Sequence, residues 1–184
     1  MKTLYQTLED RGNLDFVEKN GPFFCKANSA WLGRGYYYWD TFLDYAKWWG
    51  VKIYPKQGYI ICESKVDFHK VKVLDLEDPE VMMYFKQAGE TFNKVYKGRT
   101  VFVSQVIEYL KKNTSFNYQA IRARVQGATN ESYLPGHKMN LRSGHSAYLD
   151  LKPQVQVCIL DRSVIGENNF HVVYPPEYSE DFVI

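Results

Sequence analysis

Two glutamines near the end of the chain, Gln154 and Gln156, flank a single valine in the run Gln154-Val155-Gln156-Val157-Cys158-Ile159-Leu160. Side chains alternate along an extended strand, so both amides point to one face. Paired glutamines are not an ordinary apolar core choice. An amide both donates and accepts hydrogen bonds, which suits it to reading a polar ligand. A second concentration of chemistry lies at Tyr36, Tyr37, Tyr38, Trp39, Phe42, Tyr45, Trp48 and Trp49. Aromatics make up 16% of the chain; such a cluster either binds something flat or fills the core of a small β-rich domain, since each ring buries a large area. Upstream, Gly33 and Gly35 allow a tight turn and close backbone approach. Cys25, Cys62 and Cys158 are odd in number and far apart, and the four histidines lack ligand spacing, so neither a disulfide framework nor a zinc site is suggested. The cysteines read as small core hydrophobes.

Strands and helices must hold these residues in place. Leu4 to Thr7 reads as a short strand, followed by a polar, glycine-containing loop to about Asn28. An aromatic strand is expected over Tyr36 to Trp39. Phe42, Tyr45, Ala46 and Trp49 recur at helical spacing, which predicts a helix capped by Asp40 or Thr41 and ending near Gly50. Tyr59 to Glu63 and Val71 to Leu74 predict two strands, arranged as a hairpin or neighbouring pair. Asp78 and Pro79 open a helix to Lys94. Ser104 is expected to cap another, with Val106, Ile107 and Leu110 as its buried stripe, and the two should pack together. Ala120 to Val125 is strand-like, whereas Gln126 to His145 carries Gly127, Pro135, Gly136 and Gly144 and reads as a long, functional loop. Ala147 to Leu151, Gln154 to Leu160 and Phe170 to Tyr174 complete the strands. The class is α+β, one domain over residues 1–184, with a mostly antiparallel sheet and peripheral helices.

With 184 residues, 45% hydrophobic and 24% charged, the chain can build a real core, which excludes a disordered tail protein. No apolar run approaches the length of a membrane helix, and MKTLYQTLEDRG lacks a signal peptide's apolar centre. A cytoplasmic protein without a membrane partner is expected. The net charge of +2 neither demands nor excludes nucleic acid. A binding module is the competing class, with exposed aromatics stacking on bases while Lys47, Lys52, Lys56, Arg122 and Arg124 track a backbone.

Tyr5-Gln6-Thr7 on a first strand, Gly33-Arg34-Gly35-Tyr36-Tyr37-Tyr38 leading into a helix with Tyr45-Ala46-Lys47-Trp48, and Gln154 to Asp161 on a late strand together resemble the ADP-ribosyltransferases. The likeness is to their diphtheria-toxin-like and poly(ADP-ribose)-polymerase-like branch and spans most of the chain. It implies a split sheet, NAD as substrate, and transfer of ADP-ribose to a macromolecular acceptor, protein or nucleic acid, with release of nicotinamide. It also implies a toxin or antiviral-defence role, with an antitoxin or immunity protein as a further partner.

On that resemblance Tyr37 and Trp48 wall the nicotinamide, with Gly35, Tyr36 and Tyr45 beside them. Gln6 and Thr7 contact the ribose or nicotinamide, Arg34 meets the pyrophosphate, Gln156 holds the ribose, and Gln154 faces the acceptor. Gln156, Tyr37 and Gln6 are the expected catalytic residues, and the loops Asn13 to Ala30 and Gln126 to His145 the expected acceptor-choosing segments. Two positions depart from the family pattern. Gln6 stands where a histidine or arginine is common, and Gln156 where many members place a glutamate. A carboxylate opposes the positive charge of an oxocarbenium-like transition state better than an amide does. Three consequences are open: the acceptor supplies the charge, a carboxylate such as Glu63 or Asp150 is borrowed, or the pocket binds NAD without turnover.

Overall fold

A computed structural model describes residues 1–97, 100–125, 138–144 and 146–178. The strands are β1 (Lys2–Glu9), β2 (Tyr36–Asp40), β3 (Tyr59–Val66), β4 (Val73–Asp75), β5 (Ala120–Arg124), β6 (Lys138–Asn140), β7 (Tyr148–Asp150), β8 (Val155–Ile159) and β9 (His171–Tyr174). The helices are α1 (Leu14–Asn20), α2 (Leu43–Ile53), α3 (Pro79–Tyr96) and α4 (Val103–Asn113). Seven strands form one sheet in the order β4-β5-β8-β2-β1-β3-β9, and β6 and β7 pair as a separate ribbon. Only β4 and β5 run parallel among the pairs of the large sheet, so the expected α+β class with a mostly antiparallel sheet is what folds.

Strand alternation divides the core between the two faces of the sheet. Leu4, Tyr38, Cys62 and Val157 lie on one face, where α1 covers them through Val17 and the chain after β8 through Ile165 and Phe170. On the other face Trp39 and Ile61 pack beneath Tyr45 and Ala46 of α2. Farther along that face, Ile121, Ala123 and Cys158 pack beneath Ile107 of α4. The helices α3 and α4 meet through Ala88, Val106 and Leu110, the pairing their apolar spacing predicts. Asp78 accepts hydrogen bonds from the backbone of Glu80 and Val81 ahead of Pro79, so that start is as expected.

Several local expectations are corrected. The loop after β1 contains helix α1, a two-turn element with Asp15 in its first turn and Lys19 in its last, matching the helix dipole. Neither Asp40 nor Thr41 caps α2; Phe42 occupies that position. Thr41 donates to the carboxylate of Asp40, which is itself engaged with Arg122 and Lys2, so neither side chain is left for the helix. Ser104 lies inside α4, whose entry is held by Phe102 N–H donating to Gln105 Oε1. The strands at 59 and 73 are not neighbours: β3 lies between β1 and β9, whereas β4 pairs with β5 at the opposite edge. Their separation follows from the long α3–α4 excursion, which lets β4 join β5 by a parallel crossover. Of the expected long loop, residues 138–140 form β6, while 126–137 and 145 lie outside the described residues.

Candidate functional site

The site begins where the sheet divides. β1 pairs with β3 from Lys2 to Glu9, yet pairs with β2 only at Leu4 and Tyr5. Beyond Tyr5 and Trp39, β2 stays with β8, and the gap is bridged by a side chain instead of a backbone ladder. Gln6, 5% exposed, donates through Nε2 to the carbonyls of Phe23 (3.0 Å) and Tyr37 (3.3 Å) and accepts from Phe23 N–H (2.8 Å). Its amide is therefore consumed in holding the split open. The expected role of Gln6 as a ligand-reading residue is corrected to that of a strut, because its donors and acceptor already have protein partners. Gln6→Ala strands those backbone groups and is expected to lower stability by about 1–3 kcal/mol, read as a lower urea midpoint.

A cleft of about 560 Å³ opens at this division. Residues from chain-distant segments converge on it: Gln6 and Thr7 of β1, Tyr37 of β2, Trp49 of α2 and Gln156 of β8. Its cover is the loop between Cys25 and Gly35, closed by paired backbone hydrogen bonds between those two residues. Gly35 is required there, since a Cβ would lie 2.5 Å from Cys158 Sγ and 2.7 Å from the carbonyl oxygen of Ile159. Gly33 adopts φ +85°, a left-handed conformation that glycine tolerates. Tyr37 fastens the loop from below: its hydroxyl accepts from Leu32 N–H and donates to the carbonyl of Gly33, each at 2.8 Å. Trp31, carried by the same loop, donates its indole N–H to Gln156 Oε1 at 2.6 Å.

The remaining expected residues divide. Thr7 lines the cleft, with its hydroxyl donated to the carbonyl of Ala46. Trp48, expected as a cleft wall, does not line the cleft; its ring packs edge-on against Trp39 and carries Lys52 Nζ over its face, and Trp49 is the α2 indole among the lining residues. The helix turns Trp49, four positions beyond Tyr45, toward the division, and Trp39 supports both indoles. Tyr45 is buried and donates to the carbonyl of Lys152, which removes it from the cleft. Tyr36 lies on the opposite face, edge-on to Phe24. Arg34 is exposed and holds Asn28. Gln154, 5% exposed, is not among the cleft's lining residues, and its amide atoms have no hydrogen-bond partner among the described residues. Trp31 and Cys25 are lining residues that sequence reasoning missed. Cys25 is half-buried in the cleft and is not the core hydrophobe expected.

The described lining of the cleft carries no charged side chain: it contains no Asp, Glu, His, Lys or Arg. Burial pushes the phenols of Tyr37, Tyr38 and Tyr54 up, so they stay protonated at neutral pH. Glu63 shares a row with Gln156 through Trp39 and Tyr5, three strands away, about 14 Å at usual strand spacing. Neither Glu63 nor Asp150 is among the cleft's described lining residues, and Asp150 accepts from the backbone of Lys152. The cations of the competing binding reading are largely committed: Arg122 to Asp40 and Asp75, Arg124 to Glu77, and Lys47 to the ring of Tyr174.

A separate hollow of about 640 Å³ lies beside α1 and the turn after β8, away from these residues. No helix among the described residues is long and apolar enough to cross a membrane. Compared with protein-family models, curated proteins and solved structures, the chain matches none, so the chemistry of the cleft is read from its own geometry.

Proposed function

We propose that this cleft binds NAD and that the protein is an NAD-dependent ADP-ribosyltransferase acting on a macromolecular acceptor, protein or nucleic acid. The observation that carries the reading is the convergence of Thr7, Tyr37 and Gln156, from the three separate pieces of the resemblance, on one aromatic cleft at the split of the sheet. The rings of Trp31, Tyr37 and Trp49 offer flat apolar surface for the nicotinamide, and aromatic pairs add about 0.5–1.5 kcal/mol beyond area burial.

The reaction breaks the bond between nicotinamide and its ribose, leaving positive charge at the anomeric carbon, and the acceptor attacks that carbon. With no carboxylate lining the described cleft, this chain works chiefly by orientation, water exclusion and hydrogen bonding to the departing group. Gln156 is the polar side chain best placed for that contact, and Tyr37 keeps the covering loop in position. The role in toxin action or defence, with an antitoxin or immunity partner, belongs to the same proposal.

Binding is tested by thermal unfolding with NAD and with nicotinamide. At a hundred times its dissociation constant a ligand adds about 2.7 kcal/mol, so a melting temperature several degrees higher is expected. An unchanged melting temperature at millimolar NAD contradicts the reading.

A further inference from the structure

The hydrogen bond between Trp31 and Gln156 fixes more than a loop position. An indole N–H is only a donor, so the atom of Gln156 facing it at 2.6 Å is the amide oxygen. That leaves the Nε2 donors of Gln156, a residue that lines the cleft, with no hydrogen bond to the described residues and available to a ligand there. A glutamate in this place would do the opposite and present an acceptor. Trp31 is itself held: its loop is closed by Cys25 and Gly35, and its neighbour Leu32 is fully buried with its N–H bound by Tyr37. The amide cannot turn over without giving up the indole.

We propose that Trp31 is a specificity-determining residue of the cleft: by occupying Gln156 Oε1 it turns the amide's donors to the ligand, so the cleft selects a flat heteroaromatic ring whose substituent presents an acceptor oxygen. The inference rests on the NAD reading, and for NAD it means that the carboxamide carbonyl, not its NH2, faces Gln156. Trp31 acts through Gln156 and is a positioning residue with respect to that atom.

Two neutral pyridines separate the polarities. 3-Acetylpyridine carries an acceptor where 3-aminopyridine carries donors. Calorimetric titration is expected to show the wild-type protein preferring 3-acetylpyridine about tenfold, the consequence of one hydrogen bond made rather than two donors opposed. In Trp31→Phe the ring is kept and the N–H is lost, so Gln156 can turn either edge inward and the preference falls to about twofold or less. In Gln156→Glu the indole holds one carboxylate oxygen, the other faces the ligand, and the preference inverts toward 3-aminopyridine. Melting temperatures of both variants near that of the wild type verify the fold.

A wild-type protein with no preference, or a Trp31→Phe variant that keeps the wild-type preference, overturns the proposal. If NAD binds while those results hold, the NAD reading survives alone. If neither pyridine nor NAD binds, both are overturned.

Discussion

Replacing Arg122 by methionine is expected to lower the unfolding free energy by about 1–3 kcal/mol at pH 7, because the buried carboxylate of Asp40 loses the Arg122 hydrogen bond and keeps only Lys2 and Thr41. Arg122 Nε lies 2.8 Å from Asp40 Oδ2 and its Nη1 3.1 Å from Asp75. Burial alone would push the carboxyl of Asp40 up. The hydrogen bonds from Arg122 and Thr41 and the charge of Lys2 outweigh it and hold the carboxyl below the usual range. The folded state therefore binds fewer protons than the unfolded chain. The stability that Asp40 contributes is fully present above its unfolded pKa of about 4 and is lost as pH falls through the lower folded value. Urea unfolding at pH 7 and pH 3 checks both parts. The cost of Arg122→Met should be large at pH 7 and shrink at pH 3, where Asp40 begins to protonate. A cost independent of pH contradicts the assignment.

The second large effect falls on the proposed turnover of NAD. Gln156→Ala is expected to reduce nicotinamide release by about a hundredfold while weakening NAD binding much less. As the glycosidic bond breaks, electrons return to the pyridinium ring and its carbonyl oxygen becomes a better acceptor. A donor facing that oxygen gains strength on the way to the transition state, and its loss is felt in kcat more than in KM. A raised KM with unchanged kcat would make Gln156 a general binding contact, and release unchanged in both constants would remove it from the site.

Much of the fold was legible because periodicity and burial agree. The helix at Asp78 announces itself through its cap and Pro79, and Val157, Cys158 and Ile159 read as a buried strand and are one. What failed was non-local. Nothing near Tyr59 or Val73 tells β3 and β4 that their partners are β1 and β5, since that pairing is decided by where α3 and α4 leave the chain. Asp40 looks like a cap in sequence, but an arginine 82 positions away claims its carboxylate.

The candidate site shows the same division. Tyr37 and Gln156 could be placed at the cleft from their local motif, but the identity of the second indole could not. Trp48 and Trp49 differ by one residue, and the turn of α2 over Trp39 decides which of them reaches the division. Trp31 gave no periodic signal, because it sits in a loop whose shape depends on the Cys25–Gly35 closure. A loop residue of this kind could be found from sequence only by asking what donor would satisfy a half-buried glutamine 125 positions later.

Release of nicotinamide tests most directly the proposal that the cleft turns over NAD. Purified protein incubated with NAD carrying separate labels on the nicotinamide and the adenine, in the presence of cell extract, is expected to free the first label and fix the second to a macromolecule. Protease or nuclease digestion then identifies the acceptor class. Release is expected to be time-dependent, matched by fixation, and about a hundredfold slower in Gln156→Ala. Intact NAD after prolonged incubation with the folded wild-type protein and extract, or release equal in wild type and Gln156→Ala, contradicts the proposal.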